Sequence, residues 1–146
     1  MRTLAIDFGK RRIGLAMSDA GGRLATPREV LQVSHPTQAI DEISKIIVDE
    51  GAGRILIGLP LNMDGTHGAA AKEVVEFGQV LATRTRQQVI YVDERLSTFQ
   101  AEQNLQGVRR AGQKLTRKSK KNRLDAVAAA HFLQDFLDGK LHAIEI

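Results

Sequence analysis

The sequence predicts an α/β fold with a mixed five-stranded sheet and helices on both faces. Short apolar runs separated by turn residues occupy the first 33 positions, and later apolar runs alternate with segments of helical period. Because β-α-β crossovers are right-handed, the later strands should run parallel to the first strand.

The first three strands are predicted to form an antiparallel meander. Residues 3–8 and 12–18 form a hairpin with a basic Lys-Arg-Arg sequence near its tip. A third extended segment, at about 23–33, follows a Gly-Gly turn. Its Pro27 lacks an N–H for sheet pairing, which favours an irregular or edge strand.

The remainder of the chain alternates helices with two apolar strands. Apolar residues at spacings of three and four indicate the helices, and glycines end two of them. The predicted order is a helix ending near residue 50, a strand at 54–59, a loop at 60–68, a helix at 69–84, a strand at 88–92, a helix from 97 or 98 to 110, a basic loop, and a last helix at 122–137.

Length and composition predict one domain over residues 1–146, with an unplaced tail at 139–146. The absence of cysteine excludes disulfides and thiolate metal sites. No apolar run is long enough to span a membrane, and the N-terminus lacks a signal-peptide cleavage pattern, so we expect no membrane partner and a cytoplasmic location.

The positive charge is concentrated in one segment, residues 109–123. The segment contains no acid, and the rest of the chain carries 13 basic and 17 acidic residues. Such a segment is either a solvated loop or a contact for a phosphate backbone, which gains affinity by releasing counterions. Its basic residues are Arg109, Arg110, Lys114, Arg117, Lys118, Lys120, Lys121 and Arg123.

Three acidic side chains occupy positions that are unusual for acids. Asp7 lies within an apolar strand, where burying an unpaired carboxylate costs several kcal/mol. Glu94 follows Asp93 at the carboxyl end of another core strand, where ligand sites of α/β sheets gather. Asp125 lies on or beside the apolar face of the last helix.

Each acid alone has an ordinary explanation. Asp7 fits a cap or a salt bridge, Asp93 and Glu94 fit a charged turn, and Asp125 fits an acid near a helix N-terminus. Together they favour one site, because converging carboxylates require a positive partner. Oxygen ligands without cysteine suit Mg²⁺ or Mn²⁺.

Carboxylates around two divalent ions are typical of phosphodiester hydrolysis. We therefore predict that Asp7 bridges two metal ions, with Glu94 and Asp125 completing their coordination. Lys10, Arg11 and Arg12 would hold phosphates nearby.

Four sequence blocks, in order, resemble the YqgF/RuvX family over about residues 1–138. They are DFGKRRIGLAMSD at 7–19, GLPLNMDGT at 58–66, DERLST at 93–98 and DAVAA at 125–129. The resemblance implies an RNase H-like fold related to RuvC resolvases, and a nuclease that processes the 5′ end of precursor 16S rRNA. It implies catalytic and metal-ligand roles for Asp7, Glu94 and Asp125.

The resemblance also implies that a loop with Gly58, Asn62, Asp64 and Gly65 shapes the rim of the site. RuvC-type resolvases usually carry a further acid one helical turn after Asp125, where this chain has Ala128. The complete predicted nucleic-acid contact set is Lys10, Arg11, Arg12, Asn62, Asp64, Arg95, Lys114, Arg117, Lys118, Lys120, Lys121 and Arg123.

Three other functions compete with the rRNA nuclease. A Holliday junction resolvase acting on branched DNA would need a homodimer, and the sequence identifies no dimer face. A non-catalytic nucleic-acid-binding module would not need all three acids. A sugar kinase or ATPase of the actin-like superfamily would need two such domains. Because aromatic residues are few, duplex or junction backbone is the expected substrate rather than single strands stacked on a platform.

Overall fold

The computed structural model describes residues 1–97 and 117–146, and for residues 117–124 it describes the backbone alone. The predicted helix from 97 or 98 to 110 lies outside these residues, as do Arg109, Arg110 and Lys114. The elements are β1 (Arg2–Asp7), β2 (Arg12–Ser18), β3 (Ala25–Gln32), α1 (Gln38–Glu50), β4 (Ala52–Leu59), α2 (Ala69–Thr85), β5 (Gln88–Asp93), a 3₁₀ turn (Glu94–Leu96), α3 (Arg117–Leu137) and β6 (Ala143–Ile144).

The strands form one mixed sheet in the order β3-β2-β1-β4-β5-β6. β1 pairs antiparallel with β2 and parallel with β4, and β4 pairs parallel with β5. The predicted meander and the parallel later strands are confirmed. The three apolar strands β1, β4 and β5 lie side by side, so their carboxyl ends share one edge of the sheet.

The prediction of five strands was wrong, because the tail adds a sixth. β6 pairs antiparallel with β5 through Tyr91 with Ile144 and Val92 with Ala143. The nearby Leu141 is buried, so the tail packs on the domain. A two-residue strand shows no alternation that a sequence pattern could reveal.

β3 is an edge strand, as Pro27 predicted. Its register against β2 shifts between Leu15 and Ala16, next to the position where Ala16 faces Pro27. The proline thus lies where the regular hydrogen-bond ladder of the sheet is interrupted. A sheet tolerates a residue without an N–H best at such a position.

The sheet separates two apolar clusters. Alternate strand residues such as Leu4 and Ile6 face α1 and α2, whereas Ala5 and Ala16 face α3. Along β1 this alternation places Asp7 on the α3 side and Phe8 on the side of α1 and α2. No helix in the described ranges is both long and apolar enough to cross a bilayer.

α3 extends further toward the N-terminus than predicted. It includes residues 117–121, which the sequence assigned to a basic loop, so part of the basic segment is helical. Lys and Arg favour helices, but a polar stretch has no apolar period to mark where a helix starts. Asp125 consequently lies about two turns inside the helix, too far from its first turn for the helix dipole to explain the acid.

α3 approaches the sheet closely at Gly14. A Cβ at this position would lie 2.8 Å from the backbone nitrogen of Ala126 and closer still to the backbone carbonyl of Asp125. Gly14 is the register partner of Asp7. The glycine therefore lets the helix backbone contact the strand beside Asp7.

Gly14→Ala should destabilise the fold by about 1–3 kcal/mol, the usual cost of overpacking, because neither contacting backbone can move independently. Urea denaturation would measure the change. Gly21→Ala is the matched control, since the nearest atom to its added Cβ would be 3.8 Å away. Equal stabilities of the two variants would contradict the close approach.

Candidate active site

Asp7 ends the central strand β1 and faces α3. Its register partner on β2 is Gly14. On the other side, the preceding residue Ile6 pairs with Ile57 of β4, which comes just before Gly58. Glycines therefore lie beside Asp7 on both adjacent strands. They leave room around its carboxyl group for side chains and backbone from elsewhere in the chain.

Glu94 uses the space at Gly58. A Cβ at Gly58 would lie 3.1 Å from Oε2 of Glu94 and 3.0 Å from the ring of Phe132. Glu94 begins the 3₁₀ turn directly after β5. The turn thus directs its carboxylate across the end of β4 toward β1.

Asp125 is paired with Arg12. The Arg12 Nε donates a hydrogen bond to Oδ2 of Asp125 at 3.1 Å, and both groups are half-buried. Arg12 begins β2, at the end of the hairpin connection that starts after Asp7. The pair links the last helix to the first hairpin.

The acids influence one another electrostatically. Burial raises the pKa of Asp7 well above its ordinary value, and the charges of Glu94 and Asp125 raise it further. Burial is also the main cause of the raised pKa of Glu94, followed by the charge of Asp93. These shifts show that the protein stabilises the negative charge on Asp7 and Glu94 poorly.

Arg95 holds the turn that carries Glu94. Its Nε donates to Oδ1 of Asp93 at 2.9 Å and its Nη2 to Oδ2 at 2.7 Å, and this hydrogen bonding lowers the pKa of Asp93. Its Nη1 donates to the backbone carbonyl of Asn62. Arg95 therefore fastens the loop after β4 to the end of β5, a role that sequence reasoning missed when it assigned Arg95 to nucleic acid alone.

The loop after β4 is also organised internally. Asn62 Nδ2 donates to Thr66 Oγ1 at 3.0 Å, and the Thr66 backbone N–H donates to Asp64 Oδ1 at 3.0 Å. The side chains of Asn62 and Asp64 are exposed. The loop is therefore ordered by its own side chains while remaining accessible to solvent.

A pocket of about 320 Å³ opens between the hairpin tip and two of the acids, Asp7 and Asp125. Its walls include exposed Lys10 and Arg11, so cations stand next to the carboxylates. The complete lining is Asp7, Phe8, Gly9, Lys10, Arg11, Arg12 and Asp125. The predicted contacts Arg117, Lys118, Lys120, Lys121 and Arg123 lie in α3, where only the backbone is described, and Lys114 lies outside the described residues.

The donor chemistry at this end of the sheet suits a hard divalent cation, because carboxylate oxygens dominate and the chain has no cysteine. The raised pKa values of Asp7 and Glu94 fit a site that needs an added positive charge. Within residues 1–97 and 125–146, however, no three acidic or histidine side chains are grouped closely enough to hold one ion. Asp125 is instead engaged with Arg12.

Comparison with known families supports the fold and the sequence blocks. A family model described as "RuvX: Holliday junction resolvase" matches residues 1–139. The chain belongs to the RuvX family. Two relatives named "Putative pre-16S rRNA nuclease" come from Anaeromyxobacter sp., with 42% identity over 96% of this chain and 98% of the relative, and from Chloroflexus aurantiacus, with 38% identity over 94% and 86%.

Solved structures show the same fold with little sequence identity. RuvC of T. thermophilus, in complex with a Holliday junction substrate, covers 99% of each chain with a TM-score of 0.60 and 14% identity. The resolvase of Fowlpox virus, in complex with Holliday junction DNA, covers 95% of this RuvX chain and 98% of its own with a TM-score of 0.53 and 10% identity. The expected RNase H-like, RuvC-related architecture is confirmed.

Asp7→Asn should stabilise the metal-free protein at neutral pH. An acid whose pKa is higher in the folded than in the unfolded state lowers stability once pH rises above the unfolded value, here near 3.8. Removing the charge removes that penalty, and the two proteins should become equal in stability below that pH. Urea denaturation in chelator between pH 3 and 8 measures the difference, and lower stability of Asp7→Asn at pH 7 would contradict the argument.

Proposed function

We propose that this chain is a divalent-metal-dependent endonuclease that hydrolyses phosphodiester bonds in structured nucleic acid, with precursor 16S rRNA as its substrate, processed at the 5′ end. Such processing would take place in the cytoplasm. The proposal depends above all on the half-buried carboxyl of Asp7, which lies at the end of β1, lines the pocket and is within the electrostatic influence of Glu94 and Asp125. A structural ion pair would not leave this carboxyl with a raised pKa.

Asp7, Glu94 and Asp125 are the residues that would hold Mg²⁺ or Mn²⁺. When bound there, such ions would supply Lewis acidity for phosphodiester hydrolysis. Arg95 keeps Glu94 in position through Asp93, and the absence of a side chain at Gly58 leaves space for the Glu94 carboxylate. Lys10 and Arg11 contribute positive charge where the phosphate backbone enters the pocket.

Arg12 has two competing partners in this proposal. It pairs with Asp125 in the structure, and a substrate phosphate would offer it a stronger, bidentate acceptor. Transfer of Arg12 to the phosphate would remove one contact of Asp125.

The names of the relatives favour precursor 16S rRNA, and the family description favours the second candidate, a four-way DNA junction. Both substrates present structured backbone to a basic pocket. Cleavage of a junction on two strands would require two copies of the site, as in a homodimer.

Glu94→Gln and Asp7→Asn should each reduce cleavage by about 100-fold or more, the scale for losing one electrostatic contact with the transition state. The assay compares a 5′ precursor 16S rRNA fragment with a four-way DNA junction in Mg²⁺ and in Mn²⁺. Asp49→Asn, an exposed acid on α1, is the matched control and should cut normally. Equal rates for wild type and Glu94→Gln would instead favour a binding module.

Lys10→Gln and Arg11→Gln should each weaken binding of either substrate and reduce the slope of log K against log salt concentration by about one. Fluorescence anisotropy over a range of KCl concentrations gives the slope. Lys140→Gln, an exposed cation beyond the far end of α3, provides the control. If all three variants share the wild-type slope, the hairpin tip does not touch phosphate.

A further inference from the structure

A second, larger cleft lies on the opposite side of the hairpin tip from the acids. It has a volume of about 580 Å³, within the usual range for small-molecule sites. Its walls come from the hairpin connection, the segment before α1 and one face of α2. The residues used below are Phe8, Lys10, Arg11, Glu73, Glu76 and Phe77.

Two aromatic rings line this cleft. The ring centroids of Phe8 and Phe77 are 4.8 Å apart, with planes inclined by 54°. Phe77 is packed in the core, whereas Phe8 is half-buried and contributes part of its ring to the cleft. Ile40 and Val80 add further apolar surface. The cleft therefore offers aromatic and aliphatic contacts to a flat ligand.

The two clefts share a wall. Phe8, Lys10 and Arg11 line both this cleft and the pocket that contains Asp7. Phe8 follows Asp7 directly in the chain and lies on the other side of the sheet. A polyanionic strand held by Lys10 and Arg11 would thus reach the aromatic cleft and the acids at the same time.

We propose that this cleft binds one nucleobase, unstacked from the same strand whose phosphate is held beside Asp7. The inference rests on the proposed function for the identity of that strand. One base needs a single aromatic contact rather than a stacking platform, so the small number of aromatic residues in the chain is compatible with it.

The polar groups around the cleft match the edge of a base. Glu73 and Glu76 are exposed carboxylates on α2, and a carboxylate accepts hydrogen bonds from an exocyclic amino group such as N4 of cytosine. Glu73 is held near Lys10, with Oε1 and Nζ 3.8 Å apart. An apolar peptide in the cleft would desolvate these charges without pairing them, so the charge distribution favours a base linked to a phosphate.

The test is a titration with cytidine 5′-monophosphate, in chelator, followed through the aromatic NMR signals of the protein. The chain has five Phe, one Tyr and no Trp, which keeps this region of the spectrum simple. We expect the ring signals of Phe8 and Phe77 to shift, with little effect from ribose 5-phosphate. Equal shifts with ribose 5-phosphate, or none with the nucleotide, would overturn the proposal.

Two variants sharpen the result. Phe8→Leu keeps apolar packing but removes the ring face, and should weaken nucleotide binding by about fivefold or more. Phe136→Leu makes the same change at a half-buried ring beside Arg54, outside the cleft, and should bind as wild type. Loss of binding in both variants, or in neither, would contradict the assigned position.

A variant of Glu76 tests whether this cleft residue recognises the base. Because Glu76 is exposed, its substitution should leave the fold intact. Glu76→Gln should reduce the preference for cytidine over uridine 5′-monophosphate, whereas Glu42→Gln, an exposed acid on α1, should leave the preference unchanged. Equal preferences in wild type and Glu76→Gln would remove Glu76 from base recognition.

Failure of this proposal and failure of the proposed function can be told apart. Because the titration contains no metal, nucleotide binding by a protein that cuts neither substrate would support the cleft and refute the nuclease. Cleavage by a protein whose aromatic signals do not shift with the nucleotide would support the nuclease and refute base binding in the cleft.

Discussion

The placement of Asp7 constrains the rest of the structure. The sheet and α3 shield its carboxyl group from much of the surrounding water, while Glu94 and Asp125 add unfavourable charge. A carboxyl group in this environment is costly to ionise. The glycines beside it, the helix above it and the turn that carries Glu94 are best understood as parts that create this environment and leave it open to a ligand.

Glycine at two strand positions allows these parts to meet. Gly14 admits the backbone of α3, and Gly58 admits the carboxylate of Glu94 together with the ring of Phe132. Both lie on strands adjacent to β1 and on the same face of the sheet as Asp7. The need is for space, since neither glycine adopts a left-handed backbone conformation. In this region the backbone geometry, more than any side chain, determines how near the acids can come.

Much of the fold could be predicted because the spacing of apolar residues differs between strands and helices. This spacing also indicates which face of each element is buried. The parallel direction of β4 and β5 relative to β1 followed from right-handed crossovers between apolar strands. The sixth strand could not be found, since two residues carry no period, and the start of α3 could not be found, since Lys and Arg show no apolar face there.

The sequence predicted a set of candidate site residues but not the contacts between them. Asp7 and Asp125 stood out because acids are rare on apolar faces, and the family blocks supported both. The pairing of Arg12 with Asp125 spans 113 positions in the chain, and no local pattern encodes it. The same holds for Arg95, whose attachment to Asn62 depends on how the loop after β4 returns to β5.

The distance in sequence between α3 and the first hairpin has a kinetic meaning. Ala25 and Gln134 are joined across 109 positions, comparable to the span between Arg12 and Asp125. Contacts between residues so far apart in the sequence form late in folding, because the long intervening chain must lose conformational entropy before they form. In the proposed nuclease, chemistry that needs all three acids would begin only once the last helix has docked. A nascent or partly folded chain would keep Asp125 apart from Asp7 and so would not cut nucleic acid prematurely.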